Sequence, residues 1–177
     1  MALSTWALDP THSSVSFTIK HMMFSKVRGS FKNFDASIQA DPSDLTTAQI
    51  SFSVDLASVD TNNADRDNHL RTADFFDVEN HPKLTFVAKT IAKSGDGEYD
   101  VTGDLTLHGV TRSETFKVEF GGEGKDPWGN VKAAFQAAGT IKRSDYGLTW
   151  NAALEAGGFL VGDDVKVEIE IQAAKQA

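Results

Sequence analysis

Residues that could do chemistry are concentrated in one stretch, Asp65–Phe86, which reads DRDNHLRTADFFDVENHPKLTF. The stretch combines acidic and basic side chains with two histidines, His69 and His81, and with the adjacent aromatic pair Phe75 and Phe76. Such groups can act as general acids and bases, ligate a metal ion or receive an anionic head group. Because most of the remaining chain alternates apolar and polar residues, as half-buried strands do, we expect the special feature of the site to lie here.

Catalysis is not the first interpretation of these residues. Asp65 and Asp67 could form a pair of catalytic carboxylates, but residues two apart on a helix point to different sides. The sequence holds no G-x-S-x-G motif, no Ser–His–Asp signature and no phosphate-binding loop. We therefore predict no catalytic residue and no enzyme. A histidine- and carboxylate-dependent enzyme, metal-dependent or not, at the mouth of the fold is kept as the alternative.

The five histidines do not follow a metal-binding pattern. None forms H-x-H or H-E-x-x-H, and no carboxylate spacing completes a known metal triad. His108, next to Gly109, is interpreted as a turn residue. His21 continues the inward face of its strand and is interpreted as a satisfied core histidine, with a polar position in an apolar tunnel as the alternative. We predict no metal site and no cofactor; convergence of three histidines at one end of the fold is the alternative.

A second polar cluster, Arg143–Gly147, follows a predicted strand. Arg143 could pair with Asp65 or Asp67 and so latch the charged stretch onto the rest of the fold, and a clamp on a ligand is the alternative. Arg66 and Arg71 could receive an anionic head group, although a solvated or salt-bridged surface is the simpler interpretation. The residues assigned to this mouth and latch are Asp65, Arg66, Asp67, His69, Phe75, Phe76 and Arg143.

The charged stretch is expected to form a short helix near residues 62–76. Asn62 can cap its N-terminus, and the negative charge of Asp65 favours the positive end of the helix dipole. Pro82 marks the exit into the next strand. Residues 148–157 lose the alternation of their neighbours, and this predicts a second short helix.

Alternation with a period of two identifies the strands that must position these residues. It is clearest in Val15–His21, Ile50–Leu56 and Val165–Ile171, and about eight such segments are joined mostly by turns. A change of parity near Lys32 and Asn33 predicts a bulge or bend. The pattern predicts an all-β, closed antiparallel barrel, because closure removes exposed strand edges, and a two-sheet sandwich is the alternative.

The inward strand faces mix large and small apolar residues. A barrel of about eight strands can be filled by its side chains or can hold one small ligand. Small inward residues favour a cavity, and they are Ala88, Gly103, Ala133, Ala137 and Gly139. The alternatives are relief of crowding at a bent strand and a filled barrel that serves as a stress-related scaffold. The predicted ligand-binding residues are Val15, Phe17, Ile19, His21, Phe52, Val54, Phe86, Leu105, Ala133, Phe135, Ala137, Ile141, Val167 and Ile169.

Length and composition fit one domain spanning residues 1–177. The net charge of −8 argues against a nucleic-acid partner, and the absence of cysteine excludes disulfides and thiol chemistry. No apolar run approaches the roughly 20 residues of a transmembrane helix. The first residues show no secretory signal, which favours a cytoplasmic location, or a periplasmic one if a signal has been removed.

Several motifs in order resemble the YceI-like family. They run from His12 to Ile171, and the middle block is the most specific. The motifs are HSSVSFTIKH, VRGSF, RDNHLRTADFF, HPKLTF, GDLTLHGVT and TIKRSDYG.

This resemblance implies a lipocalin-like fold, an extended antiparallel barrel of about eight strands around an apolar tunnel. It also implies binding, storage or transport of a polyisoprenoid, an isoprenoid quinone or another long-chain amphiphile such as a fatty amide, without catalysis. Many members of the family are periplasmic, and the missing signal departs from that pattern. A homodimer is a further expectation.

Overall fold

The computed structural model describes residues 3–152, 154 and 160–176. Alternating segments form eleven β-strands, and the charged stretch forms the α-helix α1, Ala64–Arg71. Short 3₁₀ helices lie at Pro10–His12, Leu45–Thr47, Leu56–Ser58 and Arg143–Tyr146. The strands are β1 (Ser4–Leu8), β2 (Ser14–His21), β3 (Ser25–Phe31), β4 (Phe34–Ala40), β5 (Gln49–Asp55), β6 (Val59–Asp60), β7 (Lys83–Gly95), β8 (Glu98–Leu107), β9 (Val110–Lys125), β10 (Val131–Lys142) and β11 (Val161–Lys175).

One antiparallel sheet closes on itself. The strand order is β1-β4-β5-β7-β8-β9-β10-β11-β2-β3-β6, and β1 also pairs with β11, so eight strands complete a ring. Trp6 of β1 lies opposite Ile38 on one side and Lys175 on the other. The predicted all-β closed barrel is confirmed, and the two-sheet sandwich is wrong for the residues that the structure describes.

Two of the barrel strands are broken in the middle. β1 and β2 both pair with β11, and they are separated by the 3₁₀ helix at Pro10–His12. β3 and β4 are separated at Lys32 and Asn33, where the parity changes in the sequence. At this point β4 pairs with β5 in the barrel, whereas β3 pairs with β2 and with the two-residue strand β6. The predicted bend is therefore a full break between two strands. The barrel wall splits where β3 and β4 part.

The helix α1 is shorter than the predicted span of 62–76. Asn63, not Asn62, is the N-cap, and its side-chain oxygen accepts a hydrogen bond from the Arg66 N–H at 3.0 Å. Asn62 has a positive φ of 63° and donates its N–H to Asp60, so it belongs to the preceding turn. After α1 the chain continues in turns, with the Phe76 N–H bonded to the Leu70 carbonyl.

The second predicted helix, near 148–157, is wrong for the residues that the structure describes. Residues 148–152 are not helical, and the only helical turn nearby is the 3₁₀ helix Arg143–Tyr146 that precedes them. Loss of alternation therefore marks irregular chain here. Residues 153 and 155–159 lie outside the described part.

The buried side chains form two clusters of different size inside the barrel. The larger cluster includes Phe52, Leu56 and Tyr146 and surrounds an internal space. The smaller cluster contains Trp6, whose indole N–H donates to the Ala40 carbonyl at 3.2 Å, together with Ala133. Among the described residues, no helix is long and apolar enough to cross a membrane.

Candidate functional site

The barrel encloses a cavity of about 600 Å³, within the range of small-molecule binding sites. Its walls are predominantly apolar. The alternative of a filled barrel is wrong, because the interior holds this open volume. Thirteen of the fourteen residues predicted to bind a ligand line it: Val15, Phe17, Ile19, His21, Phe52, Val54, Phe86, Leu105, Phe135, Ala137, Ile141, Val167 and Ile169. The exception is Ala133, which is 2% exposed in the packed cluster around Trp6. That these residues bind a ligand stays a prediction.

The small inward residues have different roles. A Cβ on Gly139 would lie 2.5 Å from Cδ1 of Phe116. One on Gly103 would clash first with the Val87 carbonyl oxygen on the neighbouring strand and would lie 2.8 Å from Cζ of Phe86. Both glycines therefore relieve crowding, Gly139 against a ring and Gly103 against main chain and a ring. Ala88 does not line the cavity, whereas Ala137 does. The prediction that small residues leave open volume holds at one of the five positions.

Most polar residues of the wall lie at one end of the barrel, which we call the mouth. Asn63, Asp65 and His69 come from α1 and its cap, and His21 and Arg143 come from the ends of β2 and β10. These strand ends are neighbours, because His21 pairs with Val161 at the start of β11 and Lys142 pairs with Asp164. The site is an apolar shaft with a polar mouth.

Asp67 of α1 is buried against Thr61 and does not line the cavity. It is 8% exposed, and its carboxylate accepts hydrogen bonds from the Thr61 N–H at 2.8 Å and from the Thr61 hydroxyl at 2.5 Å. Arg66 donates to the same hydroxyl and to the Thr61 carbonyl, each at 2.7 Å. Asp65 is exposed at the cavity rim. The two aspartates point to different sides, which argues against a catalytic pair.

Arg143 is buried, and its guanidinium donates to main-chain carbonyls. The acceptors are the carbonyls of Gly162 at 2.8 Å, Leu148 at 2.6 Å, Trp150 at 2.9 Å and Val161 at 3.3 Å. Burial lowers the pKa of Arg143 from its ordinary value, and the charge of Asp163 opposes this shift.

The predicted ionic latch between Arg143 and Asp65 or Asp67 is therefore wrong. The donors of Arg143 are used by the chain between β10 and β11, and Asp67 is used by Thr61. The Arg143 guanidinium and the Asp67 carboxylate therefore make their hydrogen bonds to other groups.

An aromatic cluster makes the contact that the ion pair was expected to make. The His69 ring lies 5.0 Å from Phe75 and 4.9 Å from Trp150, and Phe75 lies 5.3 Å from Trp150, centroid to centroid. Trp150 belongs to the segment whose carbonyl binds Arg143. Helix α1 is thus joined to the β10–β11 connection by tilted and edge-on rings.

Trp150 is the clearest residue that the sequence did not reveal. It lies in a segment without alternation, so no parity placed it on the inner face. Leu160 and Val161, also in the wall, follow the same segment. Ile38 and Tyr99 line the shaft from strands whose parity was legible, and alternation could have found them.

The histidines do not converge on the cavity. Only His21 and His69 line it, so no three-histidine site faces the interior in the described part of the chain. His108 and Gly109, with positive φ of 56° and 75°, form the tight turn that was predicted. His81, His108 and Asp77 instead meet outside the cavity, where one ligand-type atom from each lies within 4.8 Å of the others.

Residues 6–173 match the family model described as a YceI-like domain. The chain belongs to the YceI-like family. A UPF0312 protein of Staphylococcus epidermidis is 45% identical over 167 residues, which are 94% of this chain and 95% of that relative. The resemblance seen in the sequence motifs is confirmed.

Solved structures share the barrel of this YceI-like protein. BcnA of Burkholderia cenocepacia is 27% identical, with a TM-score of 0.82 over 93% of this chain and 98% of that chain. A polyisoprenoid binding domain from Saccharophagus degradans is 18% identical, with a TM-score of 0.69 over 98% and 99% of the two chains, and this likeness shows the shared fold. Family, fold and cavity together support the binding of a hydrophobic ligand in this YceI-like protein.

Proposed function

We propose that this protein binds one long-chain amphiphile, a polyisoprenoid or an isoprenoid quinone, and stores or transports it without catalysis. One observation carries the proposal: the cavity inside the closed barrel has predominantly apolar walls, and most of its polar lining residues lie together at one end, the mouth. An amphiphile has the same division, with a hydrocarbon chain for the shaft and a head group for the mouth.

The shaft supplies the driving force for binding. Each Å² of hydrocarbon removed from water contributes roughly 25 cal/mol, so a long chain gains more than a compact molecule in the same mouth. Phe17, Phe86 and Ile169 are typical of the wall and offer no hydrogen bonds along it. Chain length is therefore the expected basis of affinity.

The mouth favours a head group that is neutral and hydrogen-bonding. Arg66 and Arg143 are both at the mouth. Main-chain carbonyls accept the hydrogen bonds of Arg143, and Thr61 accepts two from Arg66. The exposed carboxylate of Asp65 and the exposed ammonium of Lys20 both belong to the cavity wall, so the mouth carries charges of both signs. Quinone or hydroxyl head groups suit this arrangement better than a phosphate.

The comparisons support an isoprenoid as the class of ligand. The Saccharophagus degradans neighbour is a polyisoprenoid binding domain, and we extend that class to this chain because the cavity has the required shape and polarity. Absence of catalysis is part of the proposal, since the paired carboxylates diverge and the histidines do not meet in the cavity.

Mass spectrometry of an organic extract of the purified protein tests the proposal. We expect a single class of long-chain lipid at a ratio near one per protein. The protein stripped of lipid should then bind an isoprenoid quinone, and quenching of Trp150 in the cavity wall should report the binding. An extract free of lipid, together with no quinone binding, would contradict the proposal.

A further inference from the structure

The turn between β2 and β3 exposes three consecutive apolar side chains. Met22 is 39% exposed, Met23 58% and Phe24 83%, and we call these residues the hairpin tip. Met22 and Met23 both have positive φ, 54° and 67°, a conformation that glycine or asparagine adopts more readily. Neither solubility nor backbone preference accounts for this sequence, and residues kept in such positions often serve a function.

Basic side chains flank the hairpin tip on one face of the ribbon. Lys20 lies directly opposite Lys26, and Arg28 is on the same face two residues further along β3. All three are exposed, and none forms an ion pair with any described residue. Like charges opposite each other destabilise a strand pair, so an external anion would stabilise this one.

This basic ribbon stands out in an acidic protein. The net charge of the chain is −8, yet residues 10–34 contain four Lys or Arg residues and no Asp or Glu. The nearest acidic groups on the neighbouring strand have partners, since Asp164 binds Lys142 and Asp163 accepts from Ser144. The local charge therefore complements an anionic surface.

The hairpin tip lies beside the mouth of the cavity. Ile19, Lys20, His21 and Val27 at the base of the hairpin belong to the cavity wall, and the Met22 N–H bonds the Leu160 carbonyl. A ligand leaving the shaft emerges next to the exposed tip.

We propose that the hairpin tip inserts into an anionic phospholipid bilayer and docks the cavity mouth against it, so that the ligand exchanges between shaft and membrane. Apolar side chains that enter the interface, with Lys and Arg beside them, are the combination that holds proteins on such surfaces. This inference rests on the proposed function for the ligand, but docking itself can be measured without it.

Vesicle co-sedimentation of the full chain tests the docking. The vesicles are phosphatidylcholine with and without phosphatidylglycerol. We expect binding to the anionic vesicles, weakened by salt. Phe24→Ser should reduce the vesicle affinity about tenfold or more, and Lys20→Gln and Lys26→Gln about fivefold each.

Trp128→Ser is the matched control. Trp128 is 84% exposed, like Phe24, but lies in the β9–β10 turn at the opposite end of the barrel, because Lys132 pairs with Ala174 while Lys142 pairs with Asp164. Its loss should leave vesicle affinity unchanged.

The proposal is overturned if the wild-type protein ignores anionic vesicles, or if Trp128→Ser lowers binding as much as Phe24→Ser. Quinone binding in detergent solution separates this proposal from the ligand proposal. The Phe24→Ser variant should bind quinone as the wild type does, which also shows that it is folded. Vesicle binding without any quinone binding would leave docking standing and refute the ligand proposal.

A different observation carries a second inference, on the group formed by Asp77, His81 and His108. Nδ1 of His108 lies 3.1 Å from the Tyr146 carbonyl, and a bond there requires the proton on Nδ1, leaving the Nε2 lone pair free. The main-chain N–H of His81 donates to the Asp77 carbonyl at 2.8 Å, and the His81 ring packs over Gly109. The imidazole rings lie 4.9 Å apart, centroid to centroid.

We further infer that this half-buried group binds a divalent transition metal such as zinc or cobalt. Two imidazoles and one carboxylate suit these ions, and a carbonyl that orients one histidine is a usual support of such sites. The metal would join the turn at Asp77–His81 to the β8–β9 turn.

Titration of chelator-treated, tag-free protein with cobalt, followed by visible absorption, tests this site. We expect one equivalent to bind, and His81→Gln to weaken binding about tenfold or more. His12→Gln is the control, since His12 also lies beside a carboxylate, 2.8 Å from Asp9. No binding, or equal loss in both variants, would overturn the inference.

Discussion

Ala133 and Ala137 lie on the same strand and the same face, four residues apart, yet one is in solid core and the other borders the cavity. Ala133 pairs with Ala173 and packs in the cluster of Trp6. Ala137 pairs with Ile169 and faces open volume. The residue type is identical, so the difference comes from what lies across the barrel.

The broken strand pair explains the difference. Beside Ala133, β11 pairs with β1, which brings the large ring of Trp6 into the interior. Beside Ala137, Ile169 pairs with Val15 of β2, whose side chain is much smaller than that of Trp6. The cavity therefore lies next to the part of the wall that β2 forms, and Ile38, Ala40 and Leu45 of the Trp6 cluster line it as well.

The largest expected effect is at the packed end. Trp6→Ala removes a ring that is 3% exposed and its hydrogen bond to Ala40. We expect a loss of about 3–5 kcal/mol in the free energy of unfolding, measured by chemical denaturation. Quinone binding by the folded fraction should remain, because Trp6 does not line the cavity. A small loss of stability would mean that this end is not solid core.

A smaller effect is expected at the cavity mouth. Arg143→Ala leaves the buried carbonyl of Leu148 and the part-buried carbonyl of Trp150 without their donor, and should cost about 2–3 kcal/mol. In a double-mutant cycle with Asp67→Ala, the two losses should add within about 0.5 kcal/mol, because the side chains share no partner. A coupling energy well above that value would show that Arg143 and Asp67 interact, which would contradict this account.

Part of this organisation was legible in the sequence. Strict alternation predicted the barrel, and it assigned residues such as Phe17 and Val167 to the inner face, because side chains on a strand alternate strictly. It could not separate Ala133 from Ala137, since they share parity and their difference depends on Trp6, far away in the chain.

The mouth was harder to predict for a related reason. Charges on Asp67 and Arg143 suggested an ion pair, whereas the structure satisfies both with local main-chain and hydroxyl groups. Trp150 lies in irregular chain, where no period relates position to direction. Location in the cell and oligomeric state stay predictions.

The smallest effect is expected in the short segment that connects β1 to β2. The Thr11 hydroxyl, followed by His12, holds the pKa of Asp9 well below its ordinary value of 3.8. A carboxylate with a lowered pKa stabilises the fold above its unfolded pKa, and that stability is lost as pH falls through the folded pKa. Thr11→Ala should raise the pKa of Asp9.

The measurement is the free energy of unfolding of wild type and Thr11→Ala from neutral pH to pH 2, with the Asp9 carboxyl followed by NMR. The wild type should lose more stability on acidification than the variant does. Parallel curves, with an unchanged Asp9 titration, would show that Thr11 does not hold the carboxylate.

The paired substitutions Ala133→Phe and Ala137→Phe test the central claim most directly, with denaturation and quinone binding measured on both. Ala133→Phe should overpack solid core, costing about 1–3 kcal/mol of stability with binding retained in the folded protein. Ala137→Phe should cost less stability and abolish quinone binding, because the new ring occupies the shaft. Full quinone binding by Ala137→Phe together with a core-like loss of stability would contradict a ligand cavity in this barrel.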